Sequence, residues 1–302
     1  MKNKIYDLII IGAGPAGLTA GIYAQRYLLK SLILGKIPGG MIAEAHKVCN
    51  FPTQNNITGF ELTQKMKNHL KELEGEIKLE EVTEIKKEKD NFLVKTRKNK
   101  YWAKKIIFAT GTEKRKLNIK GEKEFLGKGV SYCATCDAGF FKDKIVAVIG
   151  GSNSALTAAL LLAEYVKKVY IIYRKKEFFR AEPAWRKSVE KQKNIEFKFN
   201  SKVIEINGKD KVEELILNNK KKLKVNGVFI EVGSIPIYSL SEKLKIKNEK
   251  GYIIVDKEQK TNIKGIFAAG DVTNNKLKQV ITACGEGAIA ATTAYEELIK
   301  ES

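Results

Sequence analysis

Short apolar runs alternate along this chain with stretches whose apolar residues recur every three or four positions. Residues 5–11, Ile-Tyr-Asp-Leu-Ile-Ile-Ile, form a β-branched run closed by Gly12, and the spacing from Ala16 to Tyr27 predicts an amphipathic helix. Ser31–Leu34 reads as a second strand and Gly59–Leu73 as a helix. A three-strand meander fits residues 77–84, 92–96 and 101–103, and residues 104–111 return as a buried strand ending on a turn. The plan then restarts: a strand at 145–149, an apolar helix reaching Tyr165, a strand at 168–173, and alternating strands over 195–232. A short apolar strand at 265–270 and a small-residue-rich helix from Gln279 to Ile299 complete the pattern.

The junctions between strands and helices carry the chemistry. Gly12-Ala13-Gly14-Pro15-Ala16-Gly17 is G-x-G-x-x-G in strand-to-helix context. There the first glycine allows the tight turn, the second lets backbone approach a pyrophosphate, and the third lets the helix pack on the strand. The helix N-terminus then faces the phosphates. At the end of the second strand, where a carboxylate usually meets a ribose, stands Gly35, followed by the turn Pro38-Gly39-Gly40-Met41. Gly150-Gly151-Ser152-Asn153-Ser154-Ala155 repeats the first motif with Ser152 in place of the middle glycine. The strand after it ends in Arg174-Lys175-Lys176, with Arg180 beyond, and cations there suit a 2′-phosphate, hence NADP(H); the rival reading is a chance surface cluster. Asp271, after Gly270, can accept a cofactor hydroxyl or simply cap a turn, and the helix start at Lys278-Gln279-Val280 can offer amides to cofactor carbonyls. Two Rossmann-like units in one chain imply two dinucleotide sites.

Between the two glycine motifs lies Cys133-Ala134-Thr135-Cys136-Asp137. Thiols at this spacing can close a small disulfide ring, and in a reducing compartment such a pair points to electron traffic. The competing reading is a Cys3His zinc site completed by His46 and Cys49. Four cysteines in 302 residues are too few for a disulfide scaffold. No apolar run reaches the ~20 residues of a membrane span, and Asp7 spoils the N-terminus as a signal peptide, so a cytoplasmic protein without membrane contact is expected. The net charge of +20, from 55 Lys and Arg against 35 Asp and Glu, is spread among interleaved glutamates and carries no nucleic-acid module. No nucleic-acid partner is expected, while a basic face could steer an acidic protein.

Taken together, Gly12–Gly17, Cys133-Ala-Thr-Cys136-Asp137, Gly150-Gly151 with Asn153-Ser154-Ala155, Ala269-Gly270-Asp271 and Lys278-Gln279-Val280 resemble the low-molecular-weight thioredoxin reductases. The resemblance runs the length of the chain. It implies an α/β protein with two Rossmann-like three-layer domains, in which an FAD domain (1–112 and 238–302) is split around an inserted NADPH-type domain (113–237) carrying the cysteines. It further implies a homodimer, thioredoxin as substrate, and rotation of the inserted domain. By similarity Cys136 lies nearest the flavin, Cys133 attacks the thioredoxin disulfide, and Asp137 exchanges protons. FAD would be held by Gly12, Gly14, Pro15, Ala16, Gly17, Gly35, Gly39, Gly40, Met41, Asn50, Val82, Thr110, Gly111, Gly270, Asp271, Lys278, Gln279 and Val280. NADPH would be held by Gly150, Ser152, Asn153, Ser154, Arg174, Lys175 and Arg180, with no metal required. The chain departs from the family at Ser152, at Thr157 and Ala158 where paired glutamates are usual, at Cys49 where Glu is frequent, and in the run from Tyr173 to Arg180, which is one residue longer. These departures fall mostly on the nicotinamide site, so ferredoxin or another non-nicotinamide donor is the alternative source of electrons.

Overall fold

The computed structural model describes residues 4–301. The chain divides into two units, one made of residues up to Glu113 together with those from Ile235 on, the other of Lys114–Ser234.

In the first unit, Ile5–Ile11 sits at the centre of a sheet ordered Ile77–Lys78, Ser31–Leu34, Ile5–Ile11, Lys100–Phe108, Asn91–Thr96, Val82–Glu88. The strands from 77–78 to 100–108 run parallel, the 82–96 hairpin is antiparallel, and Ile266–Ala268 pairs parallel with residues 106–108. A parallel strand covered on both faces must be apolar at every position, and residues 8–11 are. Leu8 and Ile10 pack with the helices Pro15–Arg26 and Val280–Lys300, whereas Ile9 and Ile11 pack against the hairpin and residues near Ile253. The small residues of the last helix let it come close: a Cβ on Gly287 would lie 2.2 Å from the Ala16 carbonyl oxygen, so the two helices meet backbone to backbone.

The meander expected at 77–84, 92–96 and 101–103 is corrected. Residues 77–84 split between a parallel edge strand and the start of the hairpin, and 100–108 is one unbroken strand. Its first half pairs antiparallel with 91–96 and its second half parallel with 266–268. The charged pair Lys104-Lys105 reads as a break, yet Lys105 is buried and neutralised by Glu297 at 3.0 Å and Glu301 at 2.9 Å.

The second unit holds an all-parallel sheet ordered Ile195–Lys198, Lys168–Ile172, Ile145–Ile149, Gly227–Ile230, Val130–Ser131, with the apolar helix Asn153–Ala163 on one face. A three-stranded antiparallel sheet, Val203–Gly208, Val212–Leu217 and Lys222–Lys224, contributes to its second core. Among the described residues, no helix is long and apolar enough to cross a membrane.

Candidate functional site

Cys133 and Cys136 are joined by a disulfide, their Cα atoms 5.3 Å apart. The chain arrives from the strand Val130–Ser131 and closes the short helical turn Ala134–Asp137, for which Cys133 is the N-cap. The Cys136 amide donates to Cys133 Sγ at 3.1 Å and the Asp137 amide to the Cys133 carbonyl at 3.2 Å. Cys136 is exposed, and Cys133 and Asp137 are half-buried. With the two sulfurs bonded to each other, the Cys3His zinc reading has lost two of its ligands. His46 is half-buried and His69 exposed.

The first glycine motif forms a cradle. Gly12 has φ +120°, a conformation other residues rarely adopt, and a Cβ there would fall 2.0 Å from the Ala109 carbonyl oxygen. Gly14 is the N-cap of the helix that begins at Pro15; around its Cβ position nothing is nearer than 3.8 Å, which leaves room for a phosphate group. The Pro38–Met41 turn is tied to this loop, since the Gly39 amide donates to the Ala13 carbonyl at 2.9 Å. A Cβ at Gly35 would lie 2.6 Å from that of Ala13, so the missing ribose carboxylate has a steric cause. Thr110 and Gly111 follow the strand that ends beside Gly12, with the Thr110 hydroxyl donating to the Ile237 carbonyl at 2.8 Å. Asn50 is drawn to the start of the last helix by a 2.9 Å bond to Gln279 Oε1, near Val280. The side chain of Val82 lies in the core, leaving only its backbone for a ligand.

Around Gly270 (φ +81°) stand ionisable groups of opposite tendency. Burial pushes the Asp271 carboxyl up and the Lys278 ammonium down, each partly opposed by the other. Glu286, absent from the sequence reading, accepts from the Gly270 amide at 2.7 Å and from the Thr273 hydroxyl at 3.3 Å, and burial raises its pKa. Its signal is an acid inside the small-residue run Ala283–Ala291. A cradle with open space at Gly14, turn amides and a buried acid fits an extended dinucleotide.

The second motif is tighter. A Cβ on Gly151 would lie 2.5 Å from the Tyr173 ring, which stacks on Phe178 at 5.8 Å. Asn153 exchanges two hydrogen bonds with Glu182, at 2.7 and 2.8 Å, and Ser152 stands at the N-cap position without a side-chain capping bond, with Ser154 exposed in the first turn. Arg174, Lys175 and Arg180 are exposed, with Arg180 lying over the Phe179 ring at 5.5 Å. Solvent-facing cations beside a glycine loop fit a phosphorylated ribose.

Residues 6–287 match the pyridine nucleotide-disulphide oxidoreductase family. A thioredoxin reductase of Bacillus subtilis (strain 168) is 38% identical over all of this chain and 98% of that protein. Thioredoxin reductase structures from Lactococcus lactis (38% identical, 98% of this chain and 99% of that one) and T. acidophilum (39%, 98% and 100%) superpose with TM-scores of 0.95 and 0.94. A bonded cysteine pair between two glycine-loop units, with similarity spanning each chain, leads to one conclusion: this chain belongs to the pyridine nucleotide-disulphide oxidoreductases, among the low-molecular-weight thioredoxin reductases.

Proposed function

We propose that the protein is an FAD-dependent thioredoxin-disulfide reductase that draws electrons from NADPH. The observation that carries this reading is the Cys133–Cys136 disulfide with Asp137 directly behind it, in a chain with two nucleotide-type glycine loops. Residues up to 112 and from 238 on serve as the FAD-binding domain and 113–237 as the NADPH-binding domain. FAD is assigned to the Gly12–Gly17 loop, the Gly39–Met41 turn and the Gly270–Val280 segment, and NADPH to Gly150–Ser154 with Arg174, Lys175 and Arg180. The bound flavin supplies a two-electron relay between the nicotinamide hydride and the disulfide.

The exchange itself is the work of this chain's thiols. Once the pair is reduced, the Cys133 thiolate attacks one sulfur of the substrate disulfide, a new intermolecular S–S bond forms, and the departing substrate thiolate takes a proton held at Asp137. Asp137 then accepts the proton of Cys136, whose thiolate attacks Cys133 Sγ and expels the second substrate thiolate; Asp137 passes that proton to the expelled thiolate as the Cys133–Cys136 bond is restored. Two electrons and two protons pass to the substrate. The amide that Cys136 offers to Cys133 Sγ favours Cys133 as the ionised, attacking member. A homodimer is included in this reading and is supported by the half-exposed Tyr23, Ile281 and Ile289 on neighbouring helices of the first unit.

Anaerobic titration of the purified protein with NADPH and then NADH tests the donor. Bleaching of flavin absorbance by stoichiometric NADPH, with NADH much weaker, is expected. A flavin that dithionite reduces but neither nicotinamide does would move the search to ferredoxin.

A further inference from the structure

The turn that carries the disulfide is too short to fix its own geometry, because four helical residues form fewer hydrogen bonds than nucleation requires. The residues before Cys133 supply what the turn lacks. Ser131, 3% exposed, folds its hydroxyl over the next peptide: Oγ accepts from the Cys133 amide at 3.0 Å and donates to the Cys133 carbonyl at 3.2 Å. Tyr132 is anchored through its hydroxyl, which donates to Glu122 Oε1 at 2.5 Å. Glu122, 5% exposed, also accepts from the amides of Leu117 at 2.8 Å and Asn118 at 2.5 Å. Three donors on one buried carboxylate make a rigid post, and burial with the carboxylate alongside keeps the Tyr132 phenol protonated far above its usual range. Both residues preceding Cys133 are thereby immobilised from the interior of the unit. The φ of −132° and ψ of 98° held at Cys133 aim its sulfur at the Cys136 amide.

We propose that Ser131 and Glu122 are positioning residues for thiol exchange: by fixing the Cys133 backbone they keep its sulfur on the Cys136 amide after the disulfide opens, which makes Cys133 the more acidic thiol. Neither residue touches substrate or cofactor in this role; both act through Cys133. The inference rests on the proposed assignment of Cys133–Cys136 as the exchanging pair.

The test uses the full-length holoenzyme, reduced with dithiothreitol and desalted, and follows iodoacetamide labelling of Cys133 and Cys136 separately by peptide mass between pH 5 and 10. Asp137, on the same turn, stays in place throughout, so its charge cancels in the comparison. In the wild type, Cys133 is expected to label at lower pH than Cys136. Ser131→Ala and Tyr132→Phe are expected to shift the Cys133 profile to higher pH and slow its labelling at pH 7 about fivefold, with Cys136 unchanged. Glu122→Gln should do the same where it folds; Ser131→Ala leaves the buried carboxylate and its three donors in place, and Tyr132→Phe removes only one of those donors. Unchanged profiles in Ser131→Ala and Tyr132→Phe, or equal shifts at both cysteines, would overturn the proposal. A wild type that keeps the labelling asymmetry but fails to reduce thioredoxin would instead remove the functional assignment.

Discussion

At the scale of single residues, the four cysteines separate into two kinds. Cys133→Ser or Cys136→Ser is expected to abolish disulfide transfer, because either change leaves a lone thiol that cannot complete the exchange. Cys284 is half-buried, with burial raising its thiol pKa, unlike an activated nucleophile, and Cys49 is exposed and lies outside the disulfide turn. Cys49→Ser and Cys284→Ser should keep NADPH-coupled thioredoxin reduction within about twofold of wild type. Asp137→Asn should slow the same assay about a hundredfold or more while leaving flavin bleaching by NADPH intact. Glu286 gives a prediction in pH. Its folded pKa is raised, so its contribution to stability is fully present below the ordinary glutamate value of 4.5 and is lost as pH rises through the folded value. Thermal melts of wild type and Glu286→Gln between pH 4 and 8 should therefore show the wild type losing ground to the variant as pH increases; a flat difference would contradict the assignment. The cysteines and both glycine motifs were legible because their chemistry is written in adjacent residues. Ser131, Glu122 and Glu286 were not, since each acts through hydrogen bonds whose partners no local pattern discloses.

At the scale of elements, the helices Pro15–Arg26 and Val280–Lys300 owe their close approach to missing side chains. Gly287→Val would drive a side chain into the Ala16 carbonyl, and overpacking of that kind costs about 1–3 kcal/mol. Because Ala16 and Gly17 lie at the start of the helix proposed to face the FAD phosphates, the variant is also expected to lose flavin on dilution, read as released fluorescence after gel filtration. The strand Lys100–Phe108 shows where sequence reading fails. Its apolar ends were recognised as strands, but the lysines in the middle hid their continuity, because the acids that neutralise Lys105 lie nearly 200 residues away. Lys105→Ala should destabilise the first unit by about 1–3 kcal/mol in urea unfolding, less than for a fully buried pair, since Glu297 and Glu301 keep side-chain exposures of 21% and 41%. By contrast, Ile5–Ile11 and Ile145–Ile149 were read correctly, as residues 8–11 and 146–149 are buried on both faces and apolar at every position.

For the whole molecule, charge is unevenly shared. Residues 114–234 hold 26 Lys and Arg against 14 Asp and Glu, a net +12 of the chain's +20, and this is the unit that carries the disulfide. An acidic thioredoxin should be drawn to it at low ionic strength, with kcat/KM falling about tenfold between 10 and 300 mM salt while kcat changes little. A rate indifferent to salt would mean the cations are merely solvated surface. The first unit, meanwhile, is built from the two ends of the chain, and the glycine loop at residues 12–17 is completed by Gly270, Glu286 and Gly287. On the ribosome, residues 12–17 emerge well before Gly270, Glu286 and Gly287. The inserted unit is contiguous and can fold while translation continues. The loop at residues 12–17 therefore lacks these partners until Gly287 has been made, so the flavin loading proposed for it follows the synthesis of both segments.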